Sequence, residues 1–238
     1  MAHWPAATTI MNHFLFRRHM RIFVLGDVHG HADKLRKVLA TSGFDYEKDK
    51  LIVLGDICDR GPDTKGTVEE LLKVKNLVLI LGNHDPWLMD WFDGGHDLTW
   101  DFNGGEKTRK SYGDDRDNVP ASHKDFFKKG KPYHIETIAI KGKKQKCLFL
   151  HAGFDPGKPL EEQSPYDLAW DRTFFRMAKH KKIEGYDRIF VGHNRTVHLD
   201  EPSLQPVTFN NVTMMDTGVD AGGKLSLLNL TELTLTQA

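Results

Sequence analysis

The apolar run Leu51-Ile52-Val53-Leu54 leads at once into Gly55-Asp56-Ile57-Cys58-Asp59-Arg60-Gly61. A short apolar run bounded by glycine reads as a buried strand. It delivers two carboxylates and a guanidinium to its C-terminal end, the end at which open α/β sheets bind ligands. The same arrangement recurs along the chain. Arg21-Ile22-Phe23-Val24-Leu25 runs into Gly26-Asp27-Val28-His29-Gly30, and Leu77-Val78-Leu79-Ile80-Leu81 runs into Gly82-Asn83-His84-Asp85. Lys146-Cys147-Leu148-Phe149-Leu150 runs into His151-Ala152-Gly153, and Arg188-Ile189-Phe190-Val191 into Gly192-His193.

Between the first three runs lie helical patterns, with Leu35, Val38 and Leu39 on one face and Val68, Leu71 and Leu72 on another. Strand, helix, strand, helix, strand predicts an α/β fold with a parallel sheet and right-handed crossovers. Tyr133 to Ile140 reads as a further strand before a hairpin-like break at Gly142-Lys143-Lys144. Val212 to Met215 and Leu225 to Leu230 read as closing strands. Residues 86–134 carry Trp87, Trp91 and Trp100 and read as a helical excursion with loops, inserted in one domain of residues 21–238. Most of its tryptophans are expected to pack it onto the core. Residues 1–20 lack acidic side chains and read as a leader or N-terminal extension.

The bulk numbers exclude several partners. At 238 residues the chain can build a core without disulfides. Its 33 basic and 33 acidic residues cancel, so no whole-chain field favours nucleic acid or a membrane. Cys58 and Cys147 do not make a disulfide scaffold, which suggests a reduced, cytoplasmic protein. Nothing in the sequence demands more than a monomer.

Asp27, His29, Asp56, Asn83, His151 and His193 each stand at or just beyond a predicted strand end. Carboxylate, amide oxygen and imidazole together suit manganese, iron or zinc. Two such cations roughly 3.5–4 Å apart would share a bridging water and lower its pKa to about 7, giving hydroxide at neutral pH. Taken singly, a strand-end histidine is more often a hydrogen-bonded part of the scaffold. The recurrence at successive strand ends is what favours a metal site.

These motifs together resemble the phosphoprotein phosphatase family of calcineurin-like metallophosphoesterases, in its bacterial and bacteriophage branch. Trp170-Asp171-Arg172, Asp216-Thr217-Gly218 with Leu225-Ser226-Leu227, Asn103-Gly104-Gly105 and Ser111-Tyr112-Gly113 also resemble that branch. The likeness spans about residues 21 to 230. It implies two mixed β-sheets packed as a sandwich, flanked by helices, with a binuclear metal site at the strand ends. It implies that Asp27, His29 and Asp56 hold one metal, and that Asp56, Asn83, His151 and His193 hold the second. Manganese is the metal the resemblance points to, with iron or zinc as alternatives. His84 would be the general acid, Asp59 would orient it, and Arg60 and Arg172 would clamp the phosphate, with Asn83 also facing substrate. The implied activity is phosphomonoester hydrolysis by a metal-bridging hydroxide, with phosphoserine and phosphothreonine in proteins as leading substrates. The alternatives are a symmetrical dinucleoside tetraphosphate hydrolase and a non-catalytic scaffold. Asp85 stands where many eukaryotic members carry glutamate, and Asn194 where a bacteriophage member has threonine. Neither is expected to touch a ligand or an arginine.

Overall fold

In the computed structural model, which describes residues 20–238, the apolar runs become strands buried on both faces. The expected leader, apart from Met20, lies outside the described residues. Strands β1 (Ile22–Leu25), β2 (Lys50–Val53) and β3 (Asn76–Leu79) lie parallel and adjacent. Helices α1 (Ala32–Thr41) and α2 (Thr64–Leu71) connect them, as the strand and helix order predicts. β9 (Ser226–Asn229) and β10 (Thr234–Gln237) add antiparallel, giving the order β10-β9-β1-β2-β3.

The second sheet has the order β4-β5-β6-β8-β7. Its strands are β4 (Tyr133–Ile140), β5 (Lys143–Leu150), β6 (Arg188–Val191), β7 (Val207–Phe209) and β8 (Val212–Met214). The parallel trio β5, β6 and β8 is flanked by antiparallel β4 and β7.

Side chains alternate across each strand, and in β1, β2, β6, β8 and the second half of β5 both alternating sets are buried. Val24, Ile52, Leu54, Phe149 and Phe190 fill the space between the sheets. Phe23, Leu25, Leu51 and Val53 face α1 and α2 on the outer side of the first sheet. Leu148, Leu150, Ile189 and Val191 face α7 (Pro165–Trp170) and α8 (Phe174–His180) on the outer side of the second. That is why the strands read as unbroken apolar runs. Fully burying each such side chain contributes about 2 kcal/mol. Phe149 and Phe190 stack at 5.2 Å, one from each of two neighbouring strands.

The structure departs from expectation at a few edges. β3 ends at Leu79 rather than Leu81; beyond it Ile80 forms an isolated parallel bridge with Lys131, the Leu81 N–H donating to the Lys131 carbonyl at 2.9 Å. The hairpin turn centres on Lys141 and Gly142, both with positive φ, so β5 begins at Lys143. β7 and β10 were not anticipated. Residues 85–128 hold α3 (Asp85–Phe92), α4 (Leu98–Trp100), α5 (Glu106–Ser111) and α6 (Ala121–Lys128).

One ion pair fixes where the first two strands start. The buried Asp49 carboxylate accepts from the Arg21 N–H at 3.1 Å, from Arg21 Nε at 3.1 Å and from the Asp45 N–H at 2.9 Å. Arg21 also donates to the Gly43 carbonyl at 2.6 Å, beyond the end of α1. Burial raises the Asp49 pKa, but its bonds to Arg21 and the backbone outweigh that and hold it below the usual carboxylate value. A depressed folded-state pKa stabilises above the unfolded value near 4, and this contribution disappears as pH falls through the folded value. Asp49→Asn is therefore expected to lose about 3 kcal/mol in urea denaturation at pH 7. The deficit relative to wild type should shrink below about pH 4. An unchanged midpoint at pH 7 would show that the pair adds nothing.

Candidate active site

Asp27 and His29 follow β1, Asp56 follows β2, Asn83 follows β3, His151 follows β5 and His193 follows β6. All are buried. The turns that carry them are tightly wound: His29, Asp56, Asp59, Arg60 and His193 all have φ between 46° and 71°. A non-glycine residue held in that left-handed region costs on the order of 1 kcal/mol.

Backbone hydrogen bonds hold these turns to one another. The Asp56 carbonyl accepts from the N–H groups of Val28 at 3.1 Å and His29 at 2.8 Å, joining the first turn to the second. The Asp85 carboxylate accepts from the N–H groups of Asp56 at 3.1 Å, Ile57 at 2.9 Å and Gly82 at 2.8 Å, joining the second to the third. Asp85 thus does touch Asp56, contrary to the expectation from sequence, and fixes its backbone. The Asp27 carboxylate accepts from the His193 N–H at 3.0 Å, which closes the ring between the sheets. Two glycines permit this approach. A Cβ at Gly82 would lie 2.1 Å from Asp56 Oδ1, and one at Gly192 would lie 2.1 Å from Asp27 Oδ1.

Within this frame, potential ligand atoms of Asp27, His29 and Asp56 lie within 4.8 Å of one another, as do those of Asp56, His151 and His193. Asp56 is common to both groups. His151 Nδ1 is 2.7 Å from the Leu54 carbonyl, an acceptor only, so Nδ1 carries the proton. Its Nε2 lone pair then faces Asn83 Oδ1 at 3.1 Å and Asp56 Oδ1 at 3.4 Å. His29 Nδ1 likewise donates to the Cys58 carbonyl at 2.9 Å, leaving Nε2 3.5 Å from Asp56 Oδ2. His193 Nε2 is buried with no hydrogen-bond partner. Burial lowers the pKa of all three imidazoles, that of His29 to about 3, so they are neutral. The lone pairs of His151 and His193 converge with those of Asp56 and Asn83, and such lone pairs on neutral nitrogen and on oxygen repel unless a cation lies among them. The donor set therefore fits divalent metal.

Beside these groups, His84 Nδ1 lies 2.6 Å from Asp59 Oδ2. Burial lowers the His84 pKa, but the Asp56 and Asp59 carboxylates outweigh it and the net shift is upward. Asp59 is itself held from the helical excursion. The Trp100 indole N–H donates to both its oxygens, at 2.8 and 2.9 Å, and Thr108 Oγ1 donates to Oδ1 at 2.8 Å. Arg60 donates to His84 Nε2 at 2.7 Å, to His29 Nε2 at 2.8 Å and to Asp220 at 3.3 Å. A cavity of about 130 Å³ opens over the cluster, lined by Arg60, Asn83, Arg172, His193, Asn194 and Arg195. Of the site residues expected from sequence, Asp56, Arg60, Asn83, Arg172 and His193 line this cavity, and Asp27, His29, Asp59, His84 and His151 contact them or one another.

The sequence profile of the calcineurin-like phosphoesterases matches residues 20–217. The chain belongs to this family. Among its relatives, a serine/threonine-protein phosphatase 1 of Salmonella typhimurium is 27% identical over 88% of this chain and 91% of its own. An asymmetrical bis(5'-nucleosyl)-tetraphosphatase of Oceanobacillus iheyensis is 25% identical over 90% of each. The solved cold-active protein-tyrosine phosphatase of a psychrophilic Shewanella species shares the fold. Its TM-score is 0.58 at 16% identity, covering 92% of this chain and 80% of that one. As a calcineurin-like phosphoesterase the chain is a metal-dependent phosphoester hydrolase.

Sequence reasoning missed four residues around this phosphoesterase site. Trp100 is not only core packing but the donor to Asp59. Asp85, Arg195 and Asp220 were not singled out as parts of the site. For Trp100 a signal was present in Gly104-Gly105: a Cβ at Gly105 would lie 2.4 Å from the indole. Trp100→Phe keeps the ring and removes the N–H. It is expected to cost about 1–2 kcal/mol in urea denaturation and to slow phosphoester hydrolysis about tenfold. Wild-type turnover in this variant would show that Asp59 does not depend on the indole.

Proposed function

We propose that this phosphoesterase hydrolyses phosphomonoesters in the cytoplasm, with phosphoserine and phosphothreonine in proteins as its substrates. The observation that carries the reading is the His84–Asp59 pair at 2.6 Å beside two ligand groups that share Asp56. Asp27, His29 and Asp56 would hold one divalent metal, and Asp56, Asn83, His151 and His193 the other, manganese being favoured. Bound there, the pair supplies Lewis-acid activation of water and neutralises phosphate charge.

The chain's own residues do the rest. Arg60 and Arg172 grip the non-bridging phosphate oxygens, as a planar guanidinium fork suits. An oxygen leaving as alkoxide needs a proton, and His84 delivers it from Nε2 while Asp59 keeps the Nδ1 proton and the ring angle fixed. Arg60 cannot donate to His84 Nε2 while that nitrogen carries a proton. Engagement of Arg60 by phosphate therefore frees His84 to act as acid. A binding scaffold has no use for such a pair, which weighs against the non-catalytic reading.

A second reading is hydrolysis of a dinucleoside tetraphosphate. It draws on an apolar groove beside Asn83, walled by Trp87, Tyr166 and Trp170. Tyr166 and Trp170 stack at 5.6 Å, a surface on which a nucleobase could lie. The ratio of kcat/KM for a phosphoserine peptide to that for the dinucleotide separates the two readings.

Metal-stripped protein is expected to hydrolyse para-nitrophenyl phosphate only after manganese is added. No activity with manganese, iron or zinc would overturn the phosphomonoester reading. His84→Asn should lower kcat by about a hundredfold or more with metal content retained. Asp56→Asn should retain fewer than two metals after gel filtration, as measured by elemental analysis. Two tightly held metals in that variant would remove Asp56 as the shared ligand.

A further inference from the structure

The cavity over the candidate metal ligands carries more positive charge than one phosphate needs. Arg60 and Arg172 suffice to clamp a single phosphoryl group, yet Arg195 lines the same cavity. The cavity also continues outward. Phe175, His198 and Leu199 form its wall and, equally, the wall of a neighbouring trough of about 350 Å³ bordered by Arg176, Lys179 and His180. In a chain whose formal charges cancel, this is a local concentration of cations leading directly away from the reacting centre.

The acidic groups facing it are Asp56 in the cavity itself, Asp220 and Asp200. Asp200 is exposed at the outer end and pairs with Lys179 at 3.1 Å. The Asp220 side chain is only 3% exposed and pairs with two of the arginines. One of its oxygens accepts from Arg195 at 2.5 Å and from Arg60 at 3.3 Å. The two guanidinium groups therefore meet at a single carboxylate oxygen, which fixes them side by side before any substrate arrives. Arg195 remains about one-fifth exposed to the cavity.

We propose that Arg195 is a specificity-determining residue for a second phosphate next to the scissile one, with His198 and the Arg176–Lys179 trough continuing the anion path. The inference rests on the reading of this cavity as a metal-dependent phosphoesterase site in which Arg60 and Arg172 clamp the scissile phosphate, and names the substrate class of the same site: molecules with two or more closely spaced phosphates. That chemistry has two sources, a polyphosphate chain between nucleosides and a pair of neighbouring phosphoresidues in a peptide. Preorganised guanidinium groups gain affinity because little ordering remains to be done on binding. A second charge-assisted hydrogen bond between guanidinium and phosphate corresponds to a preference of about tenfold or more.

The test compares wild type, Arg195→Gln and Arg195→Lys on four substrates with manganese: para-nitrophenyl phosphate, a singly phosphorylated peptide, the same peptide with two adjacent phosphoserines, and a dinucleoside tetraphosphate. Wild type is expected to favour at least one two-phosphate substrate over the singly phosphorylated peptide by about tenfold or more in kcat/KM. Which of the two is favoured identifies the source. Arg195→Gln should abolish most of that preference through KM, and Arg195→Lys should keep part of it. Equal losses on all four substrates would assign Arg195 the structural task of pairing Asp220 and overturn the proposal, as would a preference unchanged in Arg195→Gln. A wild-type enzyme that hydrolyses para-nitrophenyl phosphate but shows no two-phosphate preference would overturn the proposal alone. Failure to hydrolyse any of the four would overturn the phosphomonoester reading with it.

Discussion

The carboxylate of Asp56 is the constraint around which the rest is arranged. A charge removed from water costs several kcal/mol unless opposite charge or hydrogen bonds surround it. At Asp56 the compensation within the chain is partial: the His84 backbone N–H donates to Oδ1 at 3.1 Å, while the neutral Nε2 atoms of His29 and His151, at 3.5 and 3.4 Å, present lone pairs that a bound cation would satisfy together with the carboxylate. To bring these groups in, Gly82 must lack a side chain, and three separate strand ends must arrive at one depth. The parallel register of β1, β2 and β3 provides that depth, because parallel neighbours end on the same side of the sheet. The second sheet brings His151 and His193 to the same place from the other layer.

Much of this was legible in the sequence because the side-chain types at the strand ends speak for themselves. Runs such as Leu51 to Leu54 and Leu148 to Leu150 are apolar throughout because both of their faces are covered, and that covering is also why they read so clearly. Aspartate, asparagine and histidine just beyond them have few structural uses at such spacing. β7 and β10 were not legible. They are edge strands, and the Thr234–Gln237 strand holds one apolar residue among polar ones, so no pattern marks it. Asp85 was misread because its partners are backbone N–H groups, which leave no trace in residue identity. Trp100 reaches Asp59 across 41 residues, a pairing that only the folded chain creates.

The helical excursion and the α7 segment meet over the site through aromatic edges. His84 meets Trp87 at 5.3 Å, Trp87 meets Trp170 at 5.7 Å, and Trp170 meets His193 at 6.3 Å. Trp87 comes from α3 and Trp170 from the end of α7, so insertions from both halves of the sandwich share one wall. Edge-to-face contacts of this kind contribute about 0.5–1.5 kcal/mol each beyond the area they bury. Here they also wall a groove distinct from the arginine-lined cavity, and the aromatic groove and the cationic cavity share Asn83.

The left-handed backbone at His29, Asp56, Arg60 and His193 has a consequence for how this protein can change. At each position glycine would relax the main chain, and at each the side chain is a proposed ligand or phosphate clamp. Selection for heat resistance alone would therefore favour replacing the residues the chemistry uses, and would arrive at a sturdier sandwich that no longer turns over substrate. Survival of these residues requires selection on catalysis itself. In a library scored only by folding, the active site should be the first region to erode.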